Sequence, residues 1–264
     1  MTDQNDLTRR TTLVGAAGLL AGTASAADPV TTVLVTGATR GIGIEFARQY
    51  AARGWRVIAT ARTPDTAKEL QALAASNKMV SIEKLDVLDL GAIDALAAKL
   101  KGTAIDILVN NAGIGGGGDN QVFGRINYAV FDEVMHTNVR GPLKMAEAFA
   151  DHVAASAMKK LMMVSSSQGS ISSVRSASLY FYRASKSALN MITVNMAKAV
   201  KDRGIIVGMV APGATDTEFM KEVRGRIPLG DPKDRTAGMI AQIDKFTMEM
   251  SGAFKEYSGE TIGW

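Results

Sequence analysis

Tyr182 and Lys186 stand four residues apart in Tyr182-Arg183-Ala184-Ser185-Lys186, a spacing that puts both side chains on one face of a helix. A phenol ordinarily titrates near 10, so a tyrosine that exchanges a proton near neutrality needs a positive charge beside it, which Lys186 can supply. Alone, such a pair is commonplace on helix surfaces. Tyr180 makes no equivalent pair, because the residue four further on is Ala184. A second cluster is Thr36-Gly37-Ala38-Thr39-Arg40-Gly41-Ile42-Gly43. Glycines at this spacing allow a tight turn, close approach of main chain to a pyrophosphate, and close packing of a helix on a strand. A helix beginning there turns unpaired N–H groups toward a phosphate. Gly37, Thr39, Arg40, Gly41, Ile42 and Gly43 are therefore candidate dinucleotide contacts.

A carboxylate at the end of the second strand usually binds the ribose 2′-hydroxyl of NAD. That strand here ends Ala59-Thr60-Ala61-Arg62 and has none. Arg40 and Arg62 could both face a 2′-phosphate, which favours NADP over NAD; the plain alternative is two solvated loop arginines.

These residues need elements to hold them. From Thr31 the chain alternates short β-branched runs with longer amphipathic stretches. Strands are predicted at 32–35, 56–60, 80–87, 105–109, 161–164 and 205–210. Helices are predicted at 42–53, 65–75 (after Pro64), 90–101, 128–157 (through Gly141-Pro142), 182–201 and 236–250. Such alternation requires parallel strands with covering crossovers. The predicted fold is one α/β domain: a Rossmann-type, doubly wound parallel sheet of about seven strands with helices on both faces.

Composition removes several classes. The 264 residues contain no cysteine and two histidines, His136 and His152, so disulfides, thiolate metal sites and a cysteine nucleophile are excluded, and no metal site is expected. The net charge is +4 with basic residues spread along the chain, which argues against nucleic-acid binding. The first residues read differently. Arg9 and Arg10 precede an apolar run, Leu13 to Gly22, and then Ala24-Ser25-Ala26, the order of an export signal with a cleavage site. The paired arginines resemble a twin-arginine signal. The run is shorter than the roughly 20 residues that span a bilayer, so no stable membrane anchor is expected. Residues 1–26 are read as leader and 27–264 as the domain, with periplasmic localisation expected and a cytoplasmic protein with an N-terminal extension as the alternative.

Taken in order, Thr36 to Gly43, Asn110-Asn111-Ala112-Gly113, Asn138, the serines Ser165 to Ser167, Tyr182 with Lys186, and Pro212-Gly213 resemble the short-chain dehydrogenases/reductases over essentially all of residues 30–264. Within them the run Tyr182 to Asn190 and the ending Phe254…Gly259…Trp264 are similar to the C-factor-like carbonyl reductases. The resemblance implies a catalytic set of Asn138, Ser166, Tyr182 and Lys186. Tyr182 would protonate the carbonyl oxygen, Lys186 would bind the nicotinamide ribose and lower the tyrosine pKa, and Asn138 would hold a relay water. The pattern S-S-x-x-G aligns Ser166 and Gly169, with Ser167 the alternative. The same resemblance implies cofactor contacts from Asp86 and Val87 at the adenine, from Asn110, Asn111, Ala112 and Gly113, and from Pro212, Gly213, Thr215 and Thr217. It makes Phe219 to Arg235 a substrate-covering loop. It implies NADPH-dependent hydride transfer to a carbonyl, reversible on an alcohol, in a homodimer or homotetramer. A regulator or signalling protein that binds NADP with little turnover is the rival reading.

Overall fold

The structure, a computed structural model, describes residues 30–264; the leader read at 1–26 lies outside them. Seven strands form one sheet: β1 (Thr32–Val35), β2 (Arg56–Ala61), β3 (Val80–Lys84), β4 (Ile107–Asn110), β7 (Lys160–Val164), β8 (Ile206–Ala211) and β9 (Phe254–Glu256). Their order is β3-β2-β1-β4-β7-β8-β9 and every pairing is parallel. The order reverses between β1 and β4, and the crevice beyond the carboxyl ends of those strands is where open α/β sheets bind ligands. A separate antiparallel ribbon, β5 (Gln121–Val122) with β6 (Arg125–Ile126), stands between β4 and α4 (Tyr128–Met135).

Alternation along the strands divides the core in two. Val33, Val35, Ile107 and Val109 face one cluster with Phe46, Ala47 and Tyr50 of α1 (Gly41–Ala52), Leu70 of α2 (Lys68–Ser76), and Met239, Ile240 and Ile243 of α7 (Pro232–Lys245). Leu34, Leu108, Val207 and Met209 face the other. There they meet Ile93 and Leu96 of α3 (Leu90–Lys99), Met145 and Phe149 of α5 (Gly141–Ala154), and Leu189 of α6 (Tyr180–Ala199). Strands with both faces covered are mainly apolar, and the wholly buried β1, β4 and β7 are so apart from Thr32, Asn110 and Lys160 at their ends.

Local chemistry moves several boundaries. The helix predicted from Asp65 is broken: Pro64–Thr66 forms one 3-10 turn, Ala67 leaves helical geometry, and α2 starts at Lys68. Strand β3 stops at Lys84, because the Asp86 carboxylate turns back to accept from Leu88 N at 3.0 Å. The last helix starts at Pro232, four residues early, since Asp231 caps it by accepting from Lys233 N at 2.7 Å. The long helical stretch from Tyr128 contains a π turn, His136–Arg140, before α5. Pro142 has no N–H for the carbonyl four residues back, which belongs to Asn138.

Candidate active site

The glycine turn leaves β1 and enters α1. Thr36 Oγ1 accepts from Asn111 N (3.0 Å) and Ala112 N (3.1 Å), while Asn111 Nδ2 donates to the carbonyls of Thr36 (3.0 Å) and Gly37 (3.1 Å). Asn111 and Ala112 thus brace the turn from behind. A Cβ on Gly43 would lie 2.1 Å from Gly37 O, so only glycine lets α1 approach this closely. Gly37 and Gly41 have positive φ, and Gly41 sits against Thr217 Cγ2. Arg40 occupies the N-cap with extended backbone and makes no cap bond, and the first turn carries no acid, so the leading N–H groups have no side-chain acceptor. Thr39 is half-buried in the turn, and Ile42 packs on the core beneath it.

Around this turn the other expected cofactor residues fall into two kinds. Arg40 and Arg62 are exposed, and neither guanidinium has a hydrogen bond or ion pair among the described residues; the charge of Arg40 helps hold the Glu218 carboxyl down. Asn110, 3% exposed at the end of β4, has neither side-chain oxygen nor nitrogen partnered. A buried unpaired amide at the switch point is costly unless a ligand completes it. Val87 is buried against Gly141, and Asp86 keeps its Leu88 bond. Thr215 is buried, its hydroxyl donating to Pro212 O (3.3 Å) or Gly213 O (3.2 Å). These contacts fold the segment after β8 back over the turn.

The proton-handling residues converge from three elements. Helix α6 carries Tyr182 and Lys186 on one face, with the ammonium 5.7 Å from the phenol ring centroid. Lys186 is buried and Nζ donates to Val164 O at 2.9 Å, which leaves two of its three donors unspent. Burial lowers its pKa to about 8. Ser166, just beyond β7, accepts from Gln168 N at 3.2 Å; burial pushes the Tyr182 phenol's pKa up and the nearby serine opposes part of that rise. The net direction is upward, against the lowering by Lys186 that the family pattern implies, because desolvation outweighs the other influences. Ser165 points elsewhere, onto Asn190 Oδ1 at 2.6 Å. Gly169 lets the loop after Ser166 lie on α6, since a Cβ there would come within 2.8 Å of Lys186 main chain.

Asn138, in the π turn, is fully buried. Its Oδ1 accepts from Ile114 N (2.8 Å), and its Nδ2 donates to Ile114 O (2.8 Å) and Ser185 Oγ (2.9 Å). Ser185 in turn donates to Tyr182 O at 2.8 Å. Gly113 lies between: a Cβ there would be 3.2 Å from Asn138 Oδ1 and 3.7 Å from Lys186 Nζ. Asn138 therefore fixes the loop after β4 to the helix that carries the tyrosine.

Three residues make contacts at the site that the sequence did not announce. Ser185 lies inside the tyrosine motif, and its link to Asn138 was foreshadowed by nothing but helical spacing. Phe219 reaches from the segment after β8 to lie 5.0 Å, centroid to centroid, from the Tyr182 ring, and its ring fills the space beside Gly115. The third is Gln121. Among the described residues, no group of three His, Asp or Glu could hold a metal, and no helix is long and apolar enough to cross a membrane.

The residues fit a dinucleotide. The open end of α1, the orphaned Asn110 amide and the spare donors of Lys186 line the switch-point crevice in sequence. Comparison with known proteins gives the same direction. Residues 31–227 match the family model described as short chain dehydrogenase. The chain is 32% identical over 238 residues to 1-hydroxy-2-glutathionyl-2-methyl-3-butene dehydrogenase of Rhodococcus sp. (strain AD45), covering 89% of this chain and 100% of that one. It is 30% identical over 160 residues to the C-signal of Myxococcus xanthus, covering 61% of this chain and 93% of that one. The solved structure of NADPH-bound carbonyl reductase from chicken fatty liver superposes with a TM-score of 0.81 at 30% identity, covering 89% of this chain and 99% of that one.

Proposed function

The chain belongs to the short-chain dehydrogenase family, and from that premise we propose that it is an NADPH-dependent reductase of aldehydes or ketones, with Tyr182 as proton donor. The observation that carries this reading is the convergence of Ser166, Tyr182 and Lys186, the ammonium 5.7 Å from the phenol ring and the serine close enough to bear on the phenol's ionisation. Bound NADPH supplies the hydride that adds to the carbonyl carbon. The chain's own residues do the rest. Ser166 Oγ and the Tyr182 hydroxyl present two donors to the carbonyl oxygen, and as negative charge grows there Tyr182 delivers its proton. A raised phenol pKa suits this direction, because the proton is in place at neutral pH. The free donors of Lys186 hold the ribose hydroxyls, and Asn138 holds the relay water that returns a proton to the tyrosine. The main chain of the glycine turn takes the pyrophosphate, with Arg40 and Arg62 on the 2′-phosphate.

Fluorescence titration of the chain from Ala27 onward tests the cofactor assignment. NADPH should bind more tightly than NADH, and Arg40→Ala or Arg62→Ala should weaken NADPH alone, by roughly 10- to 100-fold for a charge-assisted contact. Equal affinity for the two cofactors would overturn the preference. A carbonyl screen should then find turnover that Tyr182→Phe lowers by about two to four orders of magnitude.

The likeness to the C-signal supports a second reading, a cofactor-binding signalling protein with little turnover. Wild type and Tyr182→Phe would then bind NADPH alike and be equally inert. For residues 1–26 we propose twin-arginine export of the folded, cofactor-loaded protein to the periplasm. Full-length, uncleaved protein confined to the cytosol on fractionation would refute it.

A further inference from the structure

Helix α6 starts without its own cap. Leu179, the residue before it, is left-handed at φ 54° and its side chain caps nothing. Arg183 N reaches back to Leu179 O at 2.8 Å, which leaves the N–H groups of the first turn in need of acceptors. The acceptor comes from far along the chain. Gln121, at the base of the β5–β6 ribbon, accepts through Oε1 from Phe181 N at 2.8 Å and from Tyr182 N at 3.4 Å. Its Nε2 donates to Gly115 O at 2.7 Å and Gly117 O at 2.9 Å. With 3% exposure the amide is buried, and both of its donors and its acceptor are spent.

Resting on the reductase reading above, we propose that Gln121 is a positioning residue that sets where the Tyr182 hydroxyl stands. One buried amide ties the main chain of the proton donor to the loop from Gly115 to Gly117. That loop continues from Ile114, which Asn138 holds, and Gly115 lies under Phe219. The distance between the two walls of the crevice is thus fixed at two points, by Asn138 through Ser185 and by Gln121. The Gln121 amide is spent wholly on main-chain partners, so it acts through the backbone of Tyr182. The ribbon exists to bring it there: Gln121 N donates to Gly118 O and Asn127 N to Asn120 O, closing the excursion at its foot. The glycines tolerate no substitute for this tie, since a Cβ on Gly116 would sit 2.9 Å from Val134 and 3.2 Å from Phe181.

The test uses two variants of the holoenzyme. Gln121→Met keeps the length of the side chain and removes all four bonds. Gln121→Glu keeps the acceptor for the helix and removes the donors to the loop. A displacement of about 1 Å at the reacting centre costs roughly 100-fold, so Gln121→Met should lose that much in kcat while NADPH affinity holds near wild type. Gln121→Glu keeps the helix end of the tie but sets a carboxyl against the Gly115 and Gly117 carbonyls, so its kcat should fall between those of Gln121→Met and wild type. If both variants melt earlier but keep full kcat per folded molecule, Gln121 is scaffold and the proposal falls. A readout independent of turnover separates this from the reductase reading. The Tyr182 phenol, followed by ultraviolet difference against the matching Tyr182→Phe protein, should titrate higher in Gln121→Met, because a displaced ring moves away from Ser166, whose influence lowers it. An unmoved titration overturns the positioning role. Absence of carbonyl turnover in wild type would overturn the reductase reading and leave the titration to decide.

Discussion

Burial acts on Tyr182 and Lys186 in opposite senses, and the two together set a pH window. The phenol rises above its ordinary 10 and keeps its proton; the ammonium falls from 10.5 to about 8 and begins to lose its own. Reduction needs the phenol protonated and the ribose anchored, so its rate should hold through neutrality and decline as pH climbs past about 8. Alcohol oxidation needs the phenolate, and because the phenol is raised above 10 it should rise only at still higher pH. Stability follows a separate sign. The folded pKa of Lys186 lies below its unfolded value, so between them the unfolded chain binds more protons, and the cofactor-free protein should gain stability from pH 8 towards 10. Lys186→Met removes a buried charge at the loss of one bond to Val164 O. It should melt higher than wild type at pH 7, by a net of about 1–2 kcal/mol, flatten that pH dependence, and lose reductase activity. A lower melting midpoint would mean that the Val164 bond outweighs the desolvation. Tyr182 and Lys186 were readable as a pair because helical spacing is local; the upward phenol shift was not, because it depends on what covers the ring.

The turn between β1 and α1 is where an element depends on one atom. A methyl group on Gly43 would meet Gly37 O at 2.1 Å and Asn111 Nδ2 at 2.7 Å, both of which are fixed by the Thr36–Asn111 bonds. Gly43→Ala should therefore push α1 outward, destabilise by about 1–3 kcal/mol as overpacking does, and weaken NADPH and NADH equally, which calorimetry of the soluble fraction would read. Elements of this kind were legible: β1, β2, β4, β7 and β8 are mainly apolar runs, and α1 and α6 are amphipathic. The elements that escaped have no local signal. Strand β9 is three residues long and is a strand only because Met209 to Ala211 pair with it. The β5–β6 ribbon has two residues a side, too few for alternation to register. The π turn at His136–Arg140 follows from accommodating Pro142 while burying Asn138, a demand that sequence periodicity does not express. The family resemblance makes Phe219 the start of a substrate-covering loop, but its place against the Tyr182 ring has no local signal.

Across the whole molecule, the sheet edge and the active-site mouth are tied together. Strand β9 pairs with β8, and beyond it Ile262 N donates to Phe254 O at 2.9 Å, folding the following residues back along the edge. Trp264 then stacks on Phe254, centroids 6.1 Å apart, while its carbonyl accepts from Ser172 N at 2.9 Å. Ser172 belongs to the stretch between Ser166 and Tyr182, a connection of short 3-10 turns whose Ile171 is 74% exposed. That stretch has little core of its own, and loops so poorly packed open at low free energy unless something far away holds them. Residues 262–264 are such a holder, distant in sequence and remote from the dinucleotide crevice between β1 and β4. A protein without residues 262–264 should therefore bind NADPH as wild type does and melt only slightly earlier. Its KM for a carbonyl substrate should rise, because the mouth beside Ser166 is no longer held in one place. Steady-state kinetics with a parallel NADPH titration separates the outcomes: a fall in cofactor affinity equal to the loss in kcat/KM would mean the edge supports the whole sheet rather than the mouth alone.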